Sequence, residues 1–284
     1  MNIITISPNN YINPHLFPTY KETFETNGHT FTDNPNECTH YFLEVVSGTV
    51  NYTSTLNVVK ERNIPIIVFD NREFHVMGTG KWNPIDLDAS IYFVRTMIKG
   101  EEYPDNVFPY DWTYFNGCNF PPVSKEELFN RPYDVCFIGV EAPTRKSIID
   151  GMVNDGRLKV KYKFNDHLTR LPHYQWINEY RESKLFLECD GGGLASEKFL
   201  QLFSISPMLK NVNQHKMAFP FTDGINCIEF DQDKMEEEIE KVVDILNHKE
   251  WLYDIYIGGI DHMKTFYSEE AVSKYVLKII NNNL

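Results

Sequence analysis

The sequence predicts an α/β protein of two domains that face each other across a cleft, each a mostly parallel sheet covered by helices. Three observations carry this reading. A chain of 284 residues exceeds what one core comfortably organises and suits two units of about 100–150 residues. Strand and helix patterns alternate along the first half, and the alternation restarts near Arg131. A triple glycine, Gly191-Gly192-Gly193, lies between an apolar strand pattern and a helical one, as a ligand-binding turn of an open parallel sheet would.

Residues 2–7 alternate and are rich in β-branched side chains, so they form a strand. Residues 15–26 carry Leu16, Tyr20 and Phe24 at helical spacing and stop at Asn27-Gly28. Residues 39–46 make an apolar strand, 53–62 a helix with Leu56 and Val59 inward, and 64–70 a continuous apolar strand of the kind covered on both faces. A further strand falls at 91–98. Residues 105–122 are aromatic and proline-rich and read as an interdomain connection. The second domain opens with a buried strand at 133–139, a helix at 145–154 and an alternating strand at 158–164. In that strand Lys159, Lys161 and Lys163 lie on one side, and Val160, Tyr162 and Phe164 on the other. A helix at 173–181, a strand at 184–189, a helix at 194–203 and a strand at 207–210 follow. Residues 234–247 form an amphipathic helix, and two helices near 251–263 and 268–280 end the chain. The expected boundaries are 1–125 for an acceptor-side domain and 126–266 for a nucleotide-binding one, with the helix at 267–284 packing back on the first domain.

Composition narrows the function. Apolar residues at 42% against charged ones at 24% describe a folding chain, not a disordered one. No apolar run reaches the ~18 residues that span a bilayer, and the first residues lack the basic and apolar regions of a secretory leader. Five scattered cysteines, Cys38, Cys118, Cys136, Cys189 and Cys227, suit reduced thiols and a cytoplasmic location. A net charge of −13 opposes a surface that attracts nucleic acid or anionic lipid as a whole, while leaving room for a local basic face. The acidic run at 231–240 reads as the solvated side of a helix. No CxxC or HExxH spacing occurs, and Asp86-Leu87-Asp88 sits in a proline-led turn, so no metal site is expected.

The segment 185–210, LFLECDGGGLASEKFLQLFSISPMLK, is strand, glycine turn, helix, proline loop and strand. Gly191, Gly192 and Gly193 let a diphosphate approach backbone N–H groups at the next helix N-terminus. Ser196 and Lys198 add a hydroxyl and an ammonium for phosphate oxygens, and Glu197 a carboxylate that accepts from both ribose hydroxyls. A second glycine turn follows the strand that ends at Gly139. Behind it come Arg145, a planar fork for phosphate oxygens, and Lys146, a point charge; one of the two needs to face inward. The turn at 221–227, with Asp223-Gly224, is either a nucleotide contact or a plain β-turn.

The run Ser196-Glu197-Lys198-Phe199 followed by Ser204-Ile205-Ser206-Pro207-Met208 resembles the donor-site segment of glycosyltransferases of the GT-B class. α1,3-Fucosyltransferases carry a similar Thr-Glu-Lys-Leu, and protein O-glucosyltransferases a similar Asp-Gly leading to a serine. Where many of these families place glycine before the proline, this chain has Ser206. The resemblance implies two Rossmann-like domains in the GT-B architecture, with a nucleoside diphosphate sugar, UDP- or GDP-linked, as donor substrate and no bound cofactor. It implies ribose and diphosphate contacts from Glu197 and Lys198. The acceptor would then lie on the first domain, where an inverting enzyme needs a base at a strand end. Asp70 is the first candidate there, followed by Glu73, His75 and Glu44. His15 could meet acceptor or donor.

The acceptor is open to a glycan, a lipid, a protein or, as in some phage enzymes of this architecture, DNA with modified bases. For DNA the alternating lysines with Arg157 and Arg170 would supply phosphate contacts. Two other readings share the donor site: a non-catalytic nucleotide-sugar-binding module, and a nucleotide-sugar hydrolase or epimerase.

Overall fold

A computed structural model describes residues 3–6, 17–45, 53–71, 87–95, 97–110, 121–165, 173–189, 201–212 and 216–284, with backbone alone at 3–6, 17–20, 53–54 and 173–174. The chain order is β1 (Ile3–Ile6), α1 (Phe17–Thr26), β2 (Thr30–Thr32), β3 (His40–Val45), α2 (Thr53–Glu61), β4 (Ile66–Asp70), β5 (Ile91–Val94) and β6 (Val107–Pro109). It continues with α3 (Lys125–Phe129), β7 (Tyr133–Val140), α4 (Pro143–Asp155), β8 (Val160–Asn165), α5 (His173–Tyr180), β9 (Ser183–Glu188), β10 (Met208–Asn211) and β11 (Ile228–Phe230). Helices α6 (Met235–Asn247), α7 (Lys249–Phe266) and α8 (Glu269–Asn283) complete it.

All described strand pairs are parallel, in two sheets ordered β2-β1-β3-β4-β5-β6 and β11-β10-β9-β7-β8. The expected pair of parallel α/β sheets is therefore present. Parallel sheets need cover on both faces. In the first sheet Phe42, Ile67, Phe69, Ile91 and Phe93 turn to one face, while Tyr41, Leu43, Val68, Tyr92 and Val94 turn to the other, where Val59 of α2 meets them. The first face is closed by Phe24 of α1 and by Val272, Val276, Leu277 and Ile280 of α8, so the last helix of the chain completes the core of the first sheet. The Tyr275 hydroxyl of α8 donates to the Pro109 carbonyl at 2.9 Å. In the second sheet Val135, Leu185, Leu187, Leu209 and Ile228 pack with α4, α6 and the first half of α7; Cys136, Ile138, Phe186 and Met208 pack with α5 and with Phe203, Met263 and Tyr267.

Three short strands escape the sequence reading. The proline-rich connection expected at 105–122 begins with β6, which pairs Tyr92 with Val107 and Val94 with Pro109. Each of β2, β6 and β11 is three residues long and lies at a sheet edge, where only one side of the backbone is bonded; too few residues alternate there to register as a strand pattern. Helix α3 also emerges, capped by Ser124, whose side chain accepts from the Glu127 N–H. Helix α4 begins earlier than residue 145 because Pro143 presets the backbone of its first turn, and it ends where Gly156 takes φ +78°.

Side chains close the weak points of the second sheet. On edge strand β11 the Glu229 N–H donates to Asp223 Oδ1 at 2.8 Å, and the Glu229 carbonyl accepts from Lys241 Nζ at 2.9 Å. That occupies the outward backbone groups another strand would seek. At the amino edge, buried Arg131 donates from Nη1 to the carbonyls of Ser183 and Ile205 at 2.9 and 2.8 Å, tying the approach to β9 to that of β10. The segment entering α3 is held to α7: the Val123 N–H donates to the Tyr256 hydroxyl at 3.1 Å, and the Tyr253 hydroxyl donates to the Val123 carbonyl at 3.2 Å.

Helix α7 lies against the turn at 221–227 without any spacing side chain. A Cβ on Gly258 would stand 2.3 Å from the Ile225 carbonyl oxygen, and one on Gly259 would stand 2.6 Å from the Phe203 ring. Alanine is the better helix former by about 1 kcal/mol. The clash is with backbone and outweighs that gain, so Gly258→Ala is expected to lower stability by about 2 kcal/mol in urea unfolding.

Between α1 and α8 an open cavity of about 560 Å³ is lined by Glu22, Thr26, Asn27, Ser268, Glu269 and Lys274, among others. Burial, reinforced by the Glu22 charge, raises the Glu269 carboxyl above the usual glutamate range. A raised folded-state value favours the folded protein at acid pH, and that contribution disappears as pH rises through it. Glu269→Gln is therefore expected to raise the melting temperature at pH 7 relative to wild type and to leave it little changed near pH 4.

Candidate functional site

In an open parallel sheet ligands bind beyond the carboxyl ends of the strands, where the strand order reverses. In the second sheet that point lies between β7 and β9, because the chain leaves β7 for β8 on one side and returns to β9 on the other. The two strands part there. Pairing of β7 with β8 continues to Val140↔Asn165, whereas the last pair of β7 with β9 is Cys136↔Phe186. Strand β9 meanwhile stays with β10 as far as Glu188↔Lys210.

Beyond Cys136 β7 has no further register pair with β9, and side chains bond the Ile138 and Val140 backbone groups. The Ile138 N–H donates to the Tyr180 hydroxyl at 2.7 Å, and that hydroxyl lies 3.2 Å from the Ile138 carbonyl, to which it donates. Two residues on, the Val140 carbonyl accepts from Arg145 Nη1 at 3.0 Å, and Arg145 Nε points to the Cys189 carbonyl at 3.4 Å. The Arg145 guanidinium therefore bridges the ends of β7 and β9, with its carbon 5.7 Å from the centre of the Phe137 ring. Its Nη2 bonds to no other described residue, which leaves donor capacity at the mouth of the crevice. Tyr180 is fully buried, and burial raises its phenol well above the ordinary range, so it stays protonated, as its donation to the Ile138 carbonyl requires.

Of the residues expected to hold a diphosphate, Arg145 is the one whose side chain the structure brings to this mouth. Gly139 lies in β7 opposite Phe164. Lys146 points outward to Asp150 at 3.0 Å, and that hydrogen bond raises its ammonium. Gly191, Gly192, Gly193, Ser196, Glu197 and Lys198 lie outside the described residues. The turn at 221–227 spends polar groups on the fold: Asn226 Oδ1 accepts from the Thr222 N–H at 2.7 Å, Asp223 Oδ1 accepts from the Glu229 N–H, and the Gly224 carbonyl accepts from Trp251 Nε1.

In the first sheet the strand order reverses between β1 and β3. Beside it stands a buried polar group formed by Glu44 in β3, Asp70 at the end of β4, Asn71 and Arg95. Asn71 Nδ2 donates to Glu44 Oε1 at 2.7 Å, and the Arg95 N–H donates to the Asp70 carbonyl at 3.2 Å. Strand alternation puts Glu44 on the Phe42 side of the sheet and Asp70 on the Val68 side. The two carboxylates therefore serve opposite faces of the sheet. Asp70 is fully buried, and Glu44 is 8% exposed. Glu73, His75, His15 and Asp86 lie outside the described residues, and Asp88 is exposed. Among the described residues no group of three or more His, Cys, Asp or Glu is placed to hold a metal ion.

The sequence reading passed over Tyr180, Asn71 and Arg95. A signal existed for the last two: Arg95 directly follows the apolar strand β5, and Asn71 extends the polar end that Asp70 gives to β4. Tyr180 left none, because a tyrosine at the end of an amphipathic helix is ordinary core. The lysine face of β8 is also less basic than its spacing implies. Lys161 pairs with Glu179 and Glu182, Arg157 with Asp155 and the neighbouring Lys184 with Asp134; Arg170 lies outside the described residues.

Asn71→Ala would leave the Glu44 carboxylate buried without this donor. Loss of a hydrogen bond to a buried charge predicts a stability decrease of about 2 kcal/mol, read by chemical denaturation.

No family model and no curated protein matches the sequence. Solved structures match in fold. The lipopolysaccharide outer core galactosyltransferase WaaB in its apo form aligns with a TM-score of 0.56 at 9% identity, over 100% of this chain and 100% of that one. An α1,3-fucosyltransferase aligns at 0.54 and 13% identity, over 100% and 91%. An α-glucosyltransferase in complex with UDP and a 13-mer DNA containing an HMU base aligns at 0.54 and 10% identity, over 98% and 99%. The two parallel sheets of this chain are thus arranged as in glycosyltransferases of the GT-B class, the architecture its residues resemble.

Proposed function

We propose that this chain is a glycosyltransferase that moves a sugar from a nucleoside diphosphate sugar, UDP- or GDP-linked, to a hydroxyl acceptor without a bound metal. The observation that carries the reading is the crevice between β7 and β9, crossed at its mouth by the Arg145 guanidinium. A planar cation at a strand-end crevice suits a diphosphate, which it neutralises while the sugar departs. Residues 126–266 would form the donor domain. Within it Arg145 contacts the diphosphate, and Gly191, Gly192, Gly193, Ser196, Glu197 and Lys198 complete the diphosphate and ribose contacts. Residues 1–125 would carry the acceptor, with Asp70 as the first candidate, followed by Glu73, His75 and Glu44, for the base that takes the acceptor proton. Among the described residues Cys38, Cys136, Cys189 and Cys227 are buried thiols, which agrees with work in a reducing cytoplasm. The fold is shared with a structure containing UDP and DNA, but the carboxylate pairing on the β8 face gives a DNA acceptor no added support.

Thermal-shift measurement with UDP, GDP, CDP and ADP sugars tests the donor. A ligand at about 100 times its Kd adds ~2.7 kcal/mol, so one nucleotide should raise the melting temperature by roughly 5 °C or more. Arg145→Ala and Lys198→Ala should each reduce that rise. Nucleotide release that an acceptor stimulates and EDTA leaves unchanged identifies metal-independent transfer. Release that no acceptor stimulates identifies a hydrolase, and a shift without release a binding module.

A further inference from the structure

We infer that Tyr180 is a positioning residue for the donor: its hydroxyl takes the place of β9 alongside Ile138, holds the crevice between β7 and β9 open, and fixes the strand end from which Arg145 works. The inference rests on the donor reading above and adds to it the element that makes the crevice.

Alternate residues of a parallel strand turn both backbone groups to the same neighbour. On the crevice side of β7 these are Cys136, Ile138 and Val140. Cys136 is the last of them in register with β9, Ile138 is satisfied at both groups by the Tyr180 hydroxyl, and the Val140 carbonyl is taken by Arg145. The series runs from backbone to phenol to guanidinium, each partner longer than the one before. Strand β9 keeps its bonds to β10, so the opening is confined to the seam between β7 and β9. A phenol both accepts and donates, so it replaces a strand at one residue without leaving a buried N–H or carbonyl unbonded. The ring is fixed by Trp176, at 5.2 Å between centroids in an edge-on arrangement, and by its place in a core that includes Cys136, Ile177 and Phe186.

Without the hydroxyl, the Ile138 N–H loses the acceptor it has at 2.7 Å and the Ile138 carbonyl loses this donor. The strands must then close on one another or admit water, and either response displaces the Val140 carbonyl that anchors Arg145. Tyr180→Phe removes one oxygen and keeps the ring. Tyr256→Phe makes the same change at the opposite edge of the same sheet, where the Tyr256 hydroxyl accepts from the Val123 N–H and donates to the Ser204 carbonyl. It serves as a control for loss of stability alone.

The experiment is calorimetric titration of wild type and both variants with UDP, GDP, CDP and ADP, well below the melting temperature of each, with amide exchange at Ile138 followed in parallel. The expected result is a loss of roughly tenfold or more in affinity for the nucleotide that wild type binds, confined to Tyr180→Phe, with faster Ile138 exchange. Tyr256→Phe should bind within about twofold of wild type, since its change lies at the amino side of the sheet, away from the carboxyl ends that form the crevice. Equal affinity in Tyr180→Phe and wild type overturns the inference and leaves the donor reading standing. Equal losses in both variants overturn it as well, by assigning the effect to general destabilisation. Absence of binding by wild type to all four nucleotides overturns the donor reading and the inference with it.

Discussion

A parallel sheet must bond every backbone group it buries, and a sheet that parts at its carboxyl edge breaks that rule by construction. The second half of this chain meets the demand with two side chains. Tyr180 and Arg145 bond what β9 leaves behind, and the crevice survives because both fit the spacing of β7. Their chemistry differs for a reason. The inner position is closed on all sides and takes a neutral group that donates and accepts. The outer position lies at the mouth and takes a charged fork whose Nη2 bonds to no other described residue.

The same demand recurs along the rest of that sheet. Asp223 and Lys241 occupy the outer backbone of β11, and Arg131 gathers the carbonyls before β9 and β10. Each is a polar side chain that bonds backbone groups where strand pairing does not reach. Buried charge is tolerated at Arg131 because its guanidinium has carbonyl acceptors and Glu127 at 3.6 Å.

Cover for the first sheet comes from the far end of the chain. Helix α8 supplies apolar residues to a core otherwise built from α1, β3, β4 and β5. Phe219 packs against that core and against the core of the second sheet, and its carbonyl accepts from the Tyr267 hydroxyl at 2.8 Å. The Lys216 N–H donates to the Met97 carbonyl at 2.7 Å. The two sheets are thus linked by aromatic packing and by single hydrogen bonds.

Much of this was legible from the residues. The strands at 40–45, 66–70 and 133–140 are largely apolar runs, 183–188 holds an apolar centre at Leu185–Leu187, and the terminal helices repeat their apolar positions at helical spacing, because burial against a sheet selects those side chains locally. Arg145 was recognisable as a cation just after a glycine-ended strand. Position relative to a distant strand was not recognisable. That Arg145 turns inward while Lys146 turns out, that Glu44 and Asp70 take opposite faces, and that Tyr180 acts as a piece of sheet all depend on where β7 and β9, or β3 and β4, stop pairing. Local sequence determines which side chains a segment offers and on which side it offers them. Only the tertiary fold decides which backbone groups are left unbonded and which of the offered side chains is near enough to bond them.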